Sequence, residues 1–357
     1  MILNCMLGGG YGGLEKLFLD ELEMLPTAGM ETRGVVRRKS QLARYAKERS
    51  LPFDEIVALS DWDPLSVAEA RRIVLRHTPD LVMCVGRKAH RLLARAIGSE
   101  IPIVTMVQKR RFDRALPYAG VLVAAQHRRA TLIDDGVPAA DIVAIPNAVR
   151  LPSQPKTDYE PSKGNTVHIA SLGRLHEKKG FGVLIQAIKL LTRRTIDCTC
   201  TIAGEGPERT ALEAEIAREG LASRIALPGW TDRVAEFLSG ADIFVLPSFQ
   251  EDFPLAVLDA MASGMPIVAS AIDGPKDFLV DGKTALLVPA DDPLALADGL
   301  ERLILCPTLR ESLGHAARAA AGRDYSFETI GKRLATALQN VLDGRSISSG
   351  ACAGQAG

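Results

Sequence analysis

The stretch ADIFVLPSFQEDFPLAVLDAMASGMPIVAS, residues 241–270, decides the fold of this 357-residue chain. Its apolar run 243–246 predicts a strand, and Pro254 suits the first turn of a helix that ends before Gly264. Residues 266–269 predict a second strand. A strand, a helix and a strand in this order predict a βαβ unit of a parallel sheet.

The same alternation runs through most of the chain and predicts two parallel sheets. In the first half the expected strands are 2–6, 32–36, 56–59, 81–85, 103–107, 121–125 and 142–145. In the second half they are 167–172, 199–203, 224–227, 243–246, 266–269 and 285–288. Helices are expected after the second sheet, over 293–305, 309–321 and 327–342.

A chain of this length favours two domains, and one segment between the predicted sheets has the composition of a linker. Residues 151–165, LPSQPKTDYEPSKGN, are rich in Pro, Ser and charge and have no periodicity. The expected organisation is a doubly wound domain over 1–152, a hinge over 153–165, a second doubly wound domain over 166–325, a terminal helix over 326–343 that packs back on the first domain, and a disordered tail over 344–357. Ligands of such folds bind at the carboxyl ends of the strands, so we expect the site in a cleft between the domains.

Composition excludes several classes of protein and suggests a compartment. The chain has 47% hydrophobic and 24% charged residues, an ordinary globular balance. Its six cysteines form neither a CxxC pair nor a zinc-type cluster, which suits a reducing cytoplasm. No apolar run has the length of a membrane span, and no signal sequence is expected. Residues 1–155 carry 22 Lys and Arg against 17 Asp and Glu, a surplus of five positive charges that the rest of the chain balances.

The first candidate site is the glycine-rich loop GGGYGGLEK, residues 8–16, which follows a strand and opens a helix. Gly8, Gly10 and Gly13 spell the GxGxxG pattern of dinucleotide-binding folds. The next strand ends in Arg37 with further basic residues, where an acidic residue would hold the ribose of NAD. Binding of NADP by an oxidoreductase therefore stays open as an alternative to a general phosphate or sugar contact through loop amides.

The second candidate site is SLGRLHEKKG, residues 171–180, directly after a strand. Arg174 and Lys179 lie five positions apart in a loop closed by Gly180. Their heads are expected to converge on one diphosphate, since Arg binds two oxygens at once and Lys adds a point charge. Two fixed cations would replace a metal ion, so we expect neither metal nor cofactor.

The third candidate site lies in the opening stretch. Glu251 falls in the loop before the predicted helix. Leu255, Leu258, Met261 and Ala262 form its expected buried stripe, which leaves Asp259 off that stripe. The two carboxylates are expected to reach different parts of one ligand, with Asp259 accepting both ribose hydroxyls and Glu251 a sugar hydroxyl.

Taken together, GGGYGGLEK, GRLHEKKG, GEGPER and the segment from Pro247 to Ser270 resemble the GT4 family of retaining glycosyltransferases, over nearly the whole chain. The resemblance implies the GT-B fold, with two Rossmann-like domains facing each other across a cleft. It also implies a nucleotide-diphosphate sugar as donor, bound mainly to the second domain, and an acceptor on the first.

By that resemblance Arg174 and Lys179 hold the donor diphosphate, Glu251 contacts the donor sugar, and these three are the catalytic candidates. Asp259 stands where the family usually has a second Glu and would hold the ribose. The remaining expected donor contacts are Gly12, Gly13, Gly204, Glu205, Pro228, Gly229, Phe253, Pro254 and Leu255. Gln108 is the acceptor-side candidate, at a position where the family often has a His, and Pro275 in GPKDF removes one expected amide donor.

The sequence thus predicts a metal-independent, retaining hexosyltransferase that moves a sugar, expected from a UDP-sugar, to a glycan or lipid-linked glycan such as lipopolysaccharide. Because Gln cannot take a proton, a nucleotide-sugar-binding protein without transfer activity is a further alternative. No nucleic acid is expected as a partner.

Basic residues of the first half suggest contact with an anionic membrane from the cytoplasmic side. One cluster is Arg87, Lys88, Arg91 and Arg95, and a second is Lys109, Arg110, Arg111 and Phe112. Solvated surface charge is the alternative. The DxD pattern Asp61-Trp62-Asp63, which binds manganese in another glycosyltransferase fold, is interpreted as a coincidence.

Overall fold

The computed structural model describes residues 1–8, 10, 12–107, 113–153, 159 and 166–350. The chain divides into two compact units. Unit 1 is Met1–Ala148 together with the segment that begins at Phe327, and unit 2 is Val149–Ser326.

The described part of unit 1 contains a sheet of seven strands, which pair in parallel in the order β3-β2-β1-β4-β5-β6-β7. The strands are β1 (Ile2–Met6), β2 (Thr32–Arg37), β3 (Phe53–Ile56), β4 (Leu81–Val85), β5 (Ile103–Met106), β6 (Gly120–Val123) and β7 (Ile142–Ala144). The order reverses between β1 and β4, as in Rossmann folds.

The described part of unit 2 contains a second parallel sheet, of six strands in the order β10-β9-β8-β11-β12-β13. The strands are β8 (Val167–Leu172), β9 (Cys198–Ala203), β10 (Ile225–Gly229), β11 (Ile243–Leu246), β12 (Ile267–Ser270) and β13 (Leu286–Val288). Its switch point lies between β8 and β11. The two doubly wound sheets confirm the predicted fold class.

Helices connect the strands and cover the sheets. They are α1 (Gly13–Thr27), α2 (Gln41–Glu48), α3 (Pro64–His77), α4 (Arg87–Ile97), α5 (Gln126–Asp134), α6 (Phe181–Arg193), α7 (Arg209–Arg218), α8 (Val234–Ser239), α9 (Leu255–Ala262), α10 (Asp273–Lys276), α11 (Pro293–Leu305), α12 (Pro307–Asp324) and α13 (Phe327–Leu342). Two short 3-10 helices are Ala139–Asp141 and Glu177–Lys179. None of the helices in the described residues is long and apolar enough to cross a bilayer.

One predicted strand is wrong. We expected a strand over 56–59, but β3 ends at Ile56, and Leu59 is exposed in the loop that follows. The prediction followed the apolar run 56–59. The observed strand β3 lies at the edge of the sheet and carries polar residues, so hydrophobicity does not mark it. Asp54 within it accepts hydrogen bonds from Arg33 and Arg76, which stabilise polar residues in an edge strand.

The segment after α13 differs from the expected disordered tail. The helix α13 packs on α1, and the chain then turns back onto unit 1. The Ile347 side chain is buried against Gly120 of β6. The hydroxyls of Ser346 and Ser348 donate to the carbonyl oxygen of Ala140. Apolar burial therefore orders residues 344–350, while 351–357 lie outside the described residues.

Most of the expected hinge, 153–165, lies outside the described residues, but Tyr159 is described and belongs to unit 2. The fully buried Arg310 donates from Nε to the carbonyl oxygen of Tyr159, at 2.9 Å. The Tyr159 hydroxyl donates to the carbonyl oxygen of Gly264, also at 2.9 Å. A guanidinium buried in this way needs several acceptors, so Arg310 ties Tyr159 firmly to unit 2.

Candidate active site

The loops at the carboxyl ends of three neighbouring strands of unit 2 are joined by main-chain hydrogen bonds. After β8, the amide of Leu175 donates to Glu205, which follows β9, at 2.9 Å. The amide of Gly204 in turn donates to Gly229 at the end of β10, at 2.8 Å. These bonds hold Gly204, Glu205 and Gly229, which the sequence predicts as donor contacts, at the carboxyl end of the sheet.

The loop after β8 also closes against the loop after β11. Gly180 has a φ of +64°, and a Cβ built on it would lie 2.0 Å from the carbonyl oxygen of Pro247. The amide of Phe249 donates to the carbonyl oxygen of Lys178, at 2.8 Å. Only glycine combines this backbone conformation with so close an approach, so Gly180 allows the two loops to meet.

Their meeting brings together two predicted catalytic residues. Lys179 Nζ lies 2.5 Å from Glu251 Oε1, and the same oxygen accepts a hydrogen bond from Ser248 Oγ at 2.8 Å. Ser248 is fully buried and the Glu251 side chain is 10% exposed. A lysine has three N–H donors, so Nζ keeps two for another anion.

Arg174, the other predicted cation, is exposed in the loop between β8 and the Glu177–Lys179 helix. Among the residues that the structure describes, it has neither a hydrogen-bond nor an ion-pair partner. The neighbouring Lys178 donates instead to Gln250 Oε1, at 2.8 Å. The two lysines at 178 and 179 therefore contact different residues of the Gln250-Glu251 pair.

The aromatic side chain of the Glu251 loop points inward. Phe253 is buried and stacks on Phe278, with ring centroids 4.5 Å apart, and both rings pack on Tyr325. Tyr325 also accepts, through its carbonyl oxygen, a hydrogen bond from the amide of Val149 at 2.8 Å. The ring of Phe253 therefore supports the Glu251 loop from beneath, through its contacts with Phe278 and Tyr325.

The helix α9 follows this loop, with the buried Pro254 as its N-cap residue. The expected buried stripe was wrong in part: Leu255 is half-buried, whereas Val257 and Ala260 are buried besides Leu258, Met261 and Ala262. The helix is enclosed on more than one side, so helical periodicity does not mark a single buried face. Asp259 lies on this helix and is half-buried.

The loop after β12 supports the same region through a small residue. A Cβ built on Gly274, in α10, would lie 2.5 Å from the carbonyl oxygen of Glu251 and 2.7 Å from that of Asp252. The main chain of the Glu251 loop thus rests directly on α10. Pro228, a predicted contact, lies within β10 beside Gly229.

The glycine-rich loop belongs to unit 1. Gly13 begins α1, and Gly12 precedes it with an extended backbone. A Cβ built on Gly8 would lie 2.6 Å from Glu15 Oε1, so a carboxylate lies against the loop.

Gln108, the acceptor-side candidate, lies outside the described residues, as does the basic cluster 109–112. In the described part of the chain, no three His, Cys, Asp or Glu side chains are grouped to hold a metal ion.

Sequence reasoning missed Ser248, Phe278 and Tyr325. Ser248 had a usable signal, because it is a polar residue just after a buried strand, where ligand-binding side chains of parallel sheets lie. Phe278 and Tyr325 had none, since their partners are distant in the sequence.

Comparison with known proteins agrees with this geometry. Residues 156–320 match the family model described as glycosyl transferases group 1. The lipopolysaccharide core biosynthesis glycosyltransferase LpsE of Rhizobium meliloti is 26% identical over 337 residues, which cover 90% of this chain and 94% of that protein. The alpha-D-kanosaminyltransferase of Streptomyces kanamyceticus is 33% identical over 172 residues. Those residues make up 48% of this chain and 45% of that relative. The chain therefore spans about half the length of that relative.

The fold has a solved counterpart. The crystal structure of HepE from Anabaena in complex with UDP-glucose has a TM-score of 0.82 and 20% identity, and covers 95% of this chain and 99% of that one. Two parallel-sheet units, the family match over unit 2 and relatives along nearly the whole chain lead to one assignment. Residues 156–320, most of unit 2, match the group 1 glycosyltransferases, and the chain has the GT-B fold.

Proposed function

We propose that this enzyme is a retaining glycosyltransferase that takes its sugar from a UDP-sugar and transfers it to a hydroxyl of a glycan or lipid-linked glycan. The observation that carries the proposal is the contact of Lys179 with Glu251 at the carboxyl edge of the unit 2 sheet. At this position a cation that can bind phosphate lies beside a carboxylate that can accept hydrogen bonds from sugar hydroxyls. Relatives named for lipopolysaccharide core and colanic acid biosynthesis support the class of acceptor.

In the proposed reaction, the bond between the anomeric carbon and the phosphate oxygen breaks, and its electron pair leaves with the diphosphate. Arg174 and the two remaining N–H donors of Lys179 stabilise the charge that develops on the leaving group. The acceptor oxygen bonds to the anomeric carbon on the face that the phosphate leaves. The acceptor proton passes to the departing phosphate oxygen, which gives retention without a protein nucleophile.

Other donor contacts follow from the loops around this centre. Glu251 would accept a hydrogen bond from a sugar hydroxyl, and Asp259 would hold the ribose. The loops that contain Gly204, Glu205, Pro228 and Gly229 would border the base. Gly12 and Gly13 are proposed to offer amides to the diphosphate, with Gln108 on the acceptor side.

A thermal-shift screen against UDP-, GDP- and ADP-sugars tests the donor. We expect stabilisation by the UDP-sugar, and its loss in Arg174→Ala and in Lys179→Ala. Lys178→Ala is the matched control, because it removes a neighbouring lysine that contacts Gln250 instead. Unchanged stabilisation in both test variants would refute the diphosphate assignment.

Turnover and stereochemistry test the reaction itself. With lipopolysaccharide-type acceptors, the anomeric configuration of the product, measured by NMR, should match that of the donor. An inverted product would exclude the retaining mechanism. Donor binding without turnover, over a broad acceptor panel, would favour a binding protein that has lost transfer.

We also propose that unit 1 contacts an anionic membrane, since lipid-linked acceptors lie there. The exposed cations Arg87, Lys88 and Arg95 of α4 support this proposal. Arg91, counted with them in the sequence, is paired with Asp113 at 2.7 Å, so it is partly neutralised. Binding to anionic vesicles that falls as salt rises is the expected result, because salt screens exposed charges.

A further inference from the structure

The loop between β3 and α3 and the first turn of α3 hold three large apolar side chains in solvent. Leu59 is 69% exposed, Trp62 71% and Leu65 75%. We call these three residues the apolar ridge. A single exposed leucine is ordinary, but three large apolar residues within seven positions, one of them Trp, mark an interaction surface.

The ridge is built rigidly. Ser66 Oγ accepts a hydrogen bond from the amide of Leu59 at 3.1 Å and donates to the carbonyl oxygen of Val57 at 3.2 Å. Asp63 caps α3 by accepting from the amide of Ser66 at 2.8 Å. The polar groups of the loop therefore bond to one another, and the apolar side chains point into solvent. Leaving large apolar side chains in water costs free energy, and no contact within the described part of the folded chain offsets that cost.

Both acids of the Asp61-Trp62-Asp63 pattern are used in this construction. Asp63 is the N-cap of α3, and Asp61 lies 3.6 Å from Arg91 of α4. Arg95 donates to the carbonyl oxygen of Asp61 at 3.2 Å. The pattern therefore has a structural role for its acids, and Trp62 is the residue left to meet a partner.

Exposed arginines lie on the two helices next to the ridge. On α3, Arg72 and Arg76 share an outward face with Leu65 and with the exposed Leu75, at positions i, i+7, i+10 and i+11. Their acidic partners, Glu69 and Asp54, are less exposed than the arginines. On α4, which packs against α3, Arg95 is exposed next to the loop. The surface presents apolar groups and arginines together.

We propose that the apolar ridge inserts into the interfacial region of an anionic phospholipid bilayer while the surrounding arginines contact the lipid headgroups. Trp prefers this region because its ring is amphipathic, and arginine stems lie along apolar surface with the charge in the headgroups. A second copy of the chain fits less well, since it would place arginines against arginines. The inference extends the membrane contact proposed above and does not depend on transferase activity.

The chain has two tryptophans, which permits a direct test. In Trp230→Phe, Trp62 is the sole tryptophan, and in Trp62→Phe, Trp230 of unit 2 is the sole one and serves as the matched control. With phosphatidylglycerol-containing vesicles at low salt, we expect a blue shift of Trp62 emission and quenching by brominated lipid. Trp230, 53% exposed, should show neither.

Affinity gives the second measurement. Leu59→Ser/Leu65→Ser is expected to weaken vesicle binding by at least about tenfold, equivalent to ~1.4 kcal/mol. Leu305→Ser, which changes an exposed leucine of unit 2, should leave it unchanged. Stabilisation by UDP should be the same in Trp62→Phe, Leu59→Ser/Leu65→Ser and Leu305→Ser as in the parent protein, and it reports the transferase proposal separately.

Three results would overturn the ridge proposal. Vesicle binding with unshifted Trp62 emission would leave only electrostatic contact at the surface. Absence of binding to anionic vesicles at low salt would remove the membrane contact altogether. A blue shift that needs no lipid and rises with protein concentration would assign the ridge to a second copy of the chain.

Discussion

Lys179 Nζ and Glu251 Oε1 lie 2.5 Å apart although 72 positions separate the two residues in the chain. Ser248 donates to the same carboxylate oxygen, so Glu251 is oriented from two sides before any ligand binds. An oriented carboxylate needs little rearrangement when it accepts a sugar hydroxyl. The pair also holds Lys179 at the place where a diphosphate is expected, which links sugar and phosphate recognition.

Glu251→Gln should reduce turnover of the donor at least about 100-fold, since it removes the charge that holds Lys179 and accepts the sugar hydroxyl. Ser248→Ala removes one neutral donor and should reduce turnover about 2–10-fold, in line with a net ~0.5–1.5 kcal/mol per hydrogen bond. Steady-state kinetics measures both. Equal effects of the two substitutions would contradict the central role of the carboxylate.

Gly180→Ala should destabilise unit 2 by about 2–4 kcal/mol, because a Cβ there meets the Pro247 carbonyl oxygen and the backbone has a positive φ. Gly282→Ala is the matched control, with a φ of +68° and open space around the built Cβ. Gly282→Ala introduces the backbone strain without the close contact, so it should lower the free energy of unfolding by only about 1 kcal/mol. Chemical denaturation measures the difference, and equal costs would show that the close contact is not a constraint.

Glu21 predicts a loss of stability of unit 1 at alkaline pH. This fully buried carboxyl accepts a hydrogen bond from Asn4 Nδ2 at 2.8 Å, and burial raises its pKa from 4.5 to about 8. The folded protein therefore keeps a proton that the unfolded chain releases near pH 4.5. The stability that this proton contributes is complete below pH 4.5, falls by about 1.4 kcal/mol per pH unit above it, and is lost above about pH 8.

Glu21→Gln should remove most of that dependence, since the amide does not titrate. The free energy of unfolding of unit 1, followed from pH 5 to 9 by hydrogen exchange of the β1 amides, measures it, and the half-buried, paired Glu23→Gln is the control. Parallel pH profiles for Glu21→Gln and the parent protein would show that the carboxyl is not the cause.

Phe278→Ala should weaken binding of the nucleotide sugar about tenfold as well as destabilise unit 2, because Phe253 in the Glu251 loop loses the ring on which it stacks. Val280→Ala, a change at an exposed position two residues on, should affect neither quantity. Calorimetric titration with the UDP-sugar measures binding at a temperature where both variants are folded. Unchanged affinity in Phe278→Ala would mean that the aromatic cluster supports stability only.

Much of the fold was predictable from the sequence because strands and helices follow local periodicity. The strands at 2–6, 81–85, 167–172 and 243–246 and the helices at 293–305 and 327–342 have the predicted bounds. The prediction failed at β3, an edge strand whose polar residues form ion pairs, and at α9, which is buried on more than one side. In both places tertiary surroundings outweigh the local pattern.

The sequence by itself determined the two parallel sheets, the positions of the strand-end loops, and the presence of Arg174, Lys179 and Glu251 in those loops, because residue type and spacing are local properties. The tertiary structure alone decided that Lys179 pairs with Glu251, that Ser248 orients the pair, and that Phe253 faces inward. It alone left Trp62 outward with both neighbouring acids engaged. Such contacts depend on which distant segments the packed sheets bring within hydrogen-bond distance, and no local pattern encodes that distance.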